Sequence, residues 1–335
     1  MKTPKPHLLV ISLLLAAGLS ASAASEEKFN RNVPAHPGGK LIVDVDFGKV
    51  DVSPGADDNV AVEASRLIDF GDESKEKEYL AAGPITLTVE GNTVTLRQRT
   101  PQEARHRWPH HTRMDARYVI RVPKNFGADL STGGGGVSVT GLAGEVRADS
   151  GGGDLRFSKL EGDLDAQTGG GGIKLNDCRG RLELTTGGGD LVFTGGTGTL
   201  RARAGGGRIE VRDFKGDTKV SSGGGRLTLD RIDGAVLGET GGGSITASFA
   251  GSALKTIELE TSGGDIDLAL PRSAAADINA DTSAGRVTTD LPLEITRKDD
   301  DHLRGKLNGG GTPVRLRTSG GSIRISSSSG ATASR

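Results

Sequence analysis

The chain has 335 residues, with 42 Lys and Arg against 43 Asp and Glu, so it lacks the basic excess that binding to nucleic-acid phosphates requires. One Trp, two Tyr and eight Phe are too few to line a long sugar-stacking cleft, and a single cysteine, Cys178, excludes an intrachain disulfide. Its 53 glycines would indicate a flexible chain if they were scattered; they are periodic, and the period dictates the fold.

Residues 1–23 read as an export signal. Lys2 and Lys5 give a basic start, Leu8 to Ala17 is apolar but short for a bilayer, and Ala21-Ser22-Ala23 is a small-residue cleavage site. No cysteine near that site offers a lipid attachment point, and no later run has the character of a membrane helix. The expectation is an exported protein of the periplasm or cell surface, with no transmembrane span.

Residues 24–130 are expected to form a decorated first portion of the same domain. Leu41, Val43, Val45 and Phe47 alternate with polar residues, as do Ile85, Leu87 and Val89 and then Val94 and Leu96, which is the period of a half-buried strand. Glu90-Gly91-Asn92 supplies a tight turn. Between these runs, Asp72 to Ala82 predicts a short helix capped by Asp72 and stopped by Gly83-Pro84.

Next comes a basic stretch. Residues 97–121 hold Arg97, Arg99, Arg105, Arg107, Arg113, Arg117 and Arg121 against Glu103 and Asp115, with Trp108 among them. A basic loop bearing a Trp is suited to phosphates or uronates, because guanidinium groups contact such anions bidentately. Arg105, Arg107, Trp108 and Arg113 are the candidate contacts; the alternative is a solvated loop neutralised by carboxylates of the stack. His106, His110 and His111 are weak metal-ligand candidates, since Pro109 interrupts the helix that would converge them. No metal or other cofactor is expected.

From Gly133 the sequence repeats every 18 residues, each unit opening on glycines at 133, 151, 169, 187, 205, 223 and 241. The fifth column reads Val137, Leu155, Ile173, Leu191, Ile209, Leu227 and Ile245, and the seventh Val139, Phe157, Leu175, Phe193, Val211, Leu229 and Ala247. A second alternation, such as Leu164 with Ala166, follows in each unit after one regular glycine, as at Gly162. The pattern predicts an all-β parallel solenoid with 18-residue coils of two short strands and Gly-rich corners, rising roughly 34 Å over seven coils. Residues 131–262 form this array, 263–327 the longer terminal coils and cap, with Ser319-Gly320-Gly321 opening the last, and 328–335 a disordered Ser-rich tail.

Taken together, Gly39 to Val52, Tyr118 to Pro123, the Thr/Ser-Gly-Gly-Gly units, Ser262 to Pro271 and Thr318 to Ile323 resemble a known group. These are the bacterial envelope proteins labelled "putative adhesins", also called toast-rack repeat proteins, whose role is undefined. The resemblance covers about residues 38–327 and implies a β-helix-like stack, an envelope location and no known catalysis. It transfers no site residue, and the stretch 99–113 departs from it as an insertion.

Other motifs carry bland readings. Asp154 and Asp190 after glycine triplets are similar to calcium β-roll corners, but Arg208, Arg226 and Ser244 occupy the same column, which favours structural corners. Asp163 and Asp165 form a carboxylate pair better read, with Arg147, Arg181 and Glu183, as a charge ladder. Cys178 shares a column with Leu142, Leu160, Phe214 and Ile232 and reads as a buried hydrophobe. The function expected is a non-enzymatic, adhesin-like binding or structural solenoid facing an anionic glycan, a lipid headgroup or an envelope protein. The alternatives are a polysaccharide lyase or hydrolase, or an accessory of an envelope-stress sensing system.

Overall fold

The computed structural model describes residues 24–101, 113–251 and 253–328. Chain order begins β1 (Ser25–Pro34), β2 (Lys40–Val45), β3 (Lys49–Pro54), β4 (Asn59–Asp69), α1 (Glu73–Ala82), β5 (Thr86–Glu90), β6 (Thr93–Gln98), β7 (Arg113–Val122) and β8 (Gly127–Thr132). The array follows as β9 (Val137–Thr140), β10 (Val146–Ser150), β11 (Leu155–Ser158), β12 (Leu164–Thr168), β13 (Ile173–Thr186), β14 (Leu191–Ala204), β15 (Ile209–Ser222), β16 (Leu227–Ile232), β17 (Val236–Thr240) and β18 (Ile245–Phe249). The chain closes with β19 (Ile257–Thr261), β20 (Ile266–Leu270), β21 (Ala276–Thr282), β22 (Val287–Thr289), β23 (Leu293–Lys298), β24 (His302–Leu307), β25 (Thr312–Thr318) and β26 (Ile323–Ser327).

The strands form one 26-stranded sheet folded into two walls around a single apolar core. Each array strand pairs in parallel with the strand 18 residues away: Leu155 faces Val137 and Ile173, and Leu164 faces Val146 and Leu182. The parallel solenoid is thus what the apolar columns encode. Both columns, together with Leu142, Leu160, Cys178, Phe214 and Ile232, are buried. At ~1.5–3 kcal/mol for each large side chain, they offset the ordering cost of a glycine-rich chain.

The two kinds of corner are built differently. In the triplet corner the first and third glycines face backbone: a Cβ on Gly151 would lie 2.1 Å from Gly133 O, and one on Gly153 2.0 Å from Gly135 O. The middle one, Gly152, meets nothing within 4 Å. The other corner bends through left-handed backbone at Lys159, Asp177, Asp213 and Arg231, one per coil, and returns through a glycine such as Gly180, at φ 132°.

The ends depart from the parallel rule. At the first end β4 runs antiparallel to β7, β1 antiparallel to β4, and β5 antiparallel to β6. At the other, β24 is antiparallel to β21 and β23 to β24. The first and last parallel coils of the chain are not the outermost in space. β2 lies between β6 and β8, and β3 between β7 and β9, so the first coil of the chain is internal. Likewise β26 lies between β20 and β22, and β25 between β19 and β21. The unit opened by Ser319 is therefore not the last coil in space. Identical apolar alternation fits any coil, so position in the stack is decided by the loops and not by the columns. The predicted helix forms over Glu73–Ala82, with the Asp72 carboxylate accepting from the N–H groups of Ser74 and Lys75. Residues 1–23, where an export signal is expected, and most of the Ser-rich tail lie outside the described residues.

Candidate functional site

The basic stretch connects β6 to β7, the outermost parallel strands of the first end. It takes the place that a glycine corner holds in the array. Its stems are anchored by carboxylates of the neighbouring coil. Arg99 Nε donates to Asp44 Oδ1 at 2.6 Å and Arg99 Nη1 to Asp46 Oδ1 at 3.2 Å, while the backbone N–H of Thr100 donates to Asp46 Oδ2 at 2.6 Å. Asp44 foremost, then Asp46, raise the Arg99 pKa and hold its charge in place. Arg97 lies 3.4 Å from Asp44, Arg117 3.1 Å from Asp51, and Arg121 2.7 Å from Glu63.

Of the predicted contacts, Arg113 is exposed at the start of β7, in register with Asp69 of β4. Arg105, Arg107 and Trp108 lie outside the described residues, as do His106, His110 and His111. The structure therefore divides the basic stretch into four paired stem arginines, Arg97, Arg99, Arg117 and Arg121, and the segment they carry. Among the described residues, no group of His, Cys, Asp and Glu is placed to hold a metal ion.

The other chemical candidates are absorbed by the scaffold. Asp154 Oδ1 accepts from Gly172 N at 2.9 Å, and Asp190 Oδ1 from Arg208 N at 2.9 Å, each capping the next coil. These carboxylates hold corners together, as the column comparison predicts. Asp163 Oδ1 likewise accepts from Arg181 N at 3.1 Å, and Arg201 Nη1 stands 3.5 Å from Glu183 in the expected ladder. Arg147 turns instead to Asp149 within its own strand, at 3.2 Å. Burial pushes the Cys178 thiol pKa up, which disfavours the thiolate.

At the same end of the stack lies a buried polar cluster that the alternation of β4 conceals. Arg66 occupies a core position of β4 and is fully buried. Its Nε donates to Glu27 Oε2 of β1 at 2.6 Å and its Nη1 to Gly83 O at 2.7 Å, just past α1. Glu76 of α1 accepts from Phe70 N at 2.8 Å, Ser25 Oγ at 2.8 Å and Ser25 N at 3.1 Å. These bonds, Phe70 first, lower the Glu76 pKa. Tyr118 Oη is buried with no partner among the described residues, and burial raises its pKa. Arg66, Glu27 and Glu76 tie β1, β4 and α1 into one cap. An arginine in an otherwise apolar column is the one signal in the sequence that marks it.

A ladder of hydroxyls was equally hidden. Thr186 Oγ1 donates to Gly171 O at 2.8 Å and accepts from Gly189 N at 3.1 Å, so one hydroxyl joins two coils at the triplet corner. Ser150, Thr168, Ser222 and Thr240 repeat this bridge. Ala204 interrupts it. A shallow groove of about 480 Å³ beside Lys40, Asp129, Glu145 and Arg147 carries charges of both signs, with Lys40 Nζ 3.3 Å from Asp129.

A profile of the family described as Toastrack DUF4097 matches residues 39–326. No curated protein matches the chain. Similar solved structures include a "putative adhesin" from Parabacteroides distasonis at 10% identity, covering 89% of this chain and 97% of that one, with a TM-score of 0.31. A second "putative adhesin", from Parabacteroides merdae, is 10% identical over 89% and 96% of the two chains, with a TM-score of 0.31. A "putative lipid binding protein" from Parabacteroides distasonis is 12% identical over 90% and 96%, with a TM-score of 0.27.

Proposed function

The chain belongs to the Toastrack DUF4097 family, and from that premise we propose that it is an exported, non-enzymatic solenoid that displays a basic contact segment to an anionic component of the bacterial envelope. The observation that carries this reading is the anchoring of the insertion. Asp44, Asp46 and Asp51 pair with Arg97, Arg99 and Arg117, so both flanks of the segment whose sequence includes Arg105, Arg107 and Trp108 are fixed to the stack, and Arg113 is exposed at the start of β7. The array contributes stiffness, and its outward charges largely satisfy one another. Surface pairs of that kind contribute ~0–1 kcal/mol each, enough to favour register but not to recruit a ligand.

Among the described residues, no helix is long and apolar enough to cross a membrane. To test the contact, chain lacking residues 1–23 is sedimented with isolated envelope fractions at low and high salt, with released sugar assayed in the same tubes. Binding that weakens with salt, without sugar release, is the expected result. Replacing Arg105, Arg107 and Arg113 together by Ala should lower binding at least tenfold. Undiminished binding by that variant overturns the assignment of the contact, and sugar release overturns the non-enzymatic reading.

A further inference from the structure

The first wall of the stack, the one containing β2 and β8, ends in two edge strands that match each other. β5, Thr86-Leu87-Thr88-Val89-Glu90, closes one end against β6; β23, Leu293-Glu294-Ile295-Thr296-Arg297-Lys298, closes the other against β24. Leu87 and Val89 stand opposite the buried Leu96 and Val94, so both lie on the core side of the wall. Leu293 stands opposite the buried Leu307 and Ile295 opposite Gly305, which places them on the core side too. On each edge one apolar residue packs against the core, Leu87 and Leu293 respectively. The next is exposed, Val89 at 40% and Ile295 at 48%, and these are the two exposed large hydrophobics among the described residues.

We propose that β23 of one copy joins β5 of the next, so that chains stack head to tail and continue the apolar column across the junction. Strand direction permits it. β23 lies two antiparallel steps beyond β21 and so runs with the array, whereas β5 runs against it. Copies of like orientation therefore bring the two edges together antiparallel, each completing the other's open hydrogen-bonding side.

The side chains select a register. Setting Leu293 against Val89 and Ile295 against Leu87 places Glu294 opposite Thr88 and Thr296 opposite Thr86, with no like charges facing. A shift of two residues one way would oppose Glu294 and Glu90, and the reverse shift would leave Val89 facing Leu291, before the start of β23. In the favoured register Arg297 and Lys298 approach the C-terminal end of α1, whose last turn contains no basic residue. Self-pairing of β23 about Ile295 is poorer, because it sets Leu293 against Arg297. The second wall offers no such match: its edges are the polar β1 and the three-residue β22. A junction of this kind is heterologous and does not close, so it yields open chains instead of a dimer.

Sedimentation velocity over a concentration series of the chain lacking residues 1–23 tests this, and the expected result is growth that continues beyond dimer. Val89→Lys blocks one edge and Ile295→Lys the other, so each variant alone should remain monomeric while an equimolar mixture forms dimers and stops there. Val89→Glu and Ile295→Glu repeat the test with the opposite charge, and unchanged melting confirms that both substituted chains are folded. A wild-type chain that stays monomeric overturns the proposal. So does self-association of either single variant, or a mixture that does not dimerise.

Discussion

The array and the two ends of the stack face the same requirement, a hydrogen-bond partner for every buried backbone group, and meet it differently. Within the array the partner is the equivalent residue 18 positions away, so one pattern of side chains serves nearly every coil: Thr186 bridges to Gly171 as Thr168 bridges to Gly153. At the ends there is no next coil. There the chain reverses direction, and side chains that occur once hold the reversed strands: Arg66 with Glu27 at one end, His302 with Asp281 at the other. Repetition gives an array tolerant of where a coil sits and intolerant of what its corner contains. The ends are the reverse, since their loops are irregular and their few polar contacts are irreplaceable.

Substitutions in the array corner and core should produce the largest effects. Leu175→Asp buries an unpaired carboxylate in the seventh column and should abolish cooperative melting followed by circular dichroism. Gly189→Ala should come close to it, because the new Cβ would lie 2.0 Å from Gly171 O and 2.3 Å from Gly171 C, both fixed backbone. Overpacking of this kind costs ~1–3 kcal/mol even where neighbours give way, and here they cannot shift without moving a coil. A Gly189→Ala chain that melts like the wild type would show that the coils are not in the register described.

Removing Arg66 should act on one end alone. Arg66→Ala leaves Glu27 without its cation, and the Gly83 and Leu80 carbonyls lose its guanidinium, Gly83 O keeping only the longer bond from Gln98 Nε2. Glu27 is partly exposed, so losing its cation should cost less than the ~3–5 kcal/mol of a fully buried pair, and β1, β4 and α1 should lose hydrogen-exchange protection while β11 to β16 keep theirs. The same cap should be acid-sensitive. Its bonds hold the Glu76 carboxyl below its ordinary 4.5, so the fold favours the charged form. That contribution is complete above pH 4.5 and is lost as the pH falls through the lower folded value. Glu76→Gln should weaken protection of β1 at neutral pH and leave less to lose in acid. Equal acid sensitivity in both proteins would assign the transition to another carboxylate.

The same contrast explains what could be read from the amino-acid order. Leu155 over Ile173 over Leu191 is a column because residues 18 apart are alike, and that likeness is itself the parallel register. Asp72 and Gly83 marked α1 because capping is local. The position of β25 and β26 was not legible, since Ile323 suits the columns as well inside the stack as at its end. The role of Arg66 was not legible, because a lone cation in an apolar alternation names no partner; Glu27 and Gly83 are brought to it by tertiary structure alone. The serine or threonine before all but one of the array's glycine triplets was visible as a motif, but its bond to the preceding coil depends on a stacking distance that no single repeat contains.

The smallest effects sharpen the account of the corner itself. Thr186→Val keeps the shape of the side chain and removes a hydroxyl bonded on both sides, which should cost ~1–3 kcal/mol. Gly188→Ala, one residue before the intolerant Gly189, should be neutral or slightly stabilising, because its Cβ meets nothing within 4 Å and its φ is not positive. Ala204 provides the converse. It occupies the hydroxyl position of its coil, and Ser222 in the next coil bonds Gly207 O and Gly225 N at 2.8 and 2.9 Å. By the same offsets, Ala204→Ser should reach Gly189 O and Gly207 N and restore the missing rung, raising stability by ~0.5–1.5 kcal/mol. Thermal melting of this variant separates two accounts of the corner. A gain shows that each rung stabilises independently, whereas no change shows that the glycine backbone sets the coil spacing and the hydroxyls merely follow it.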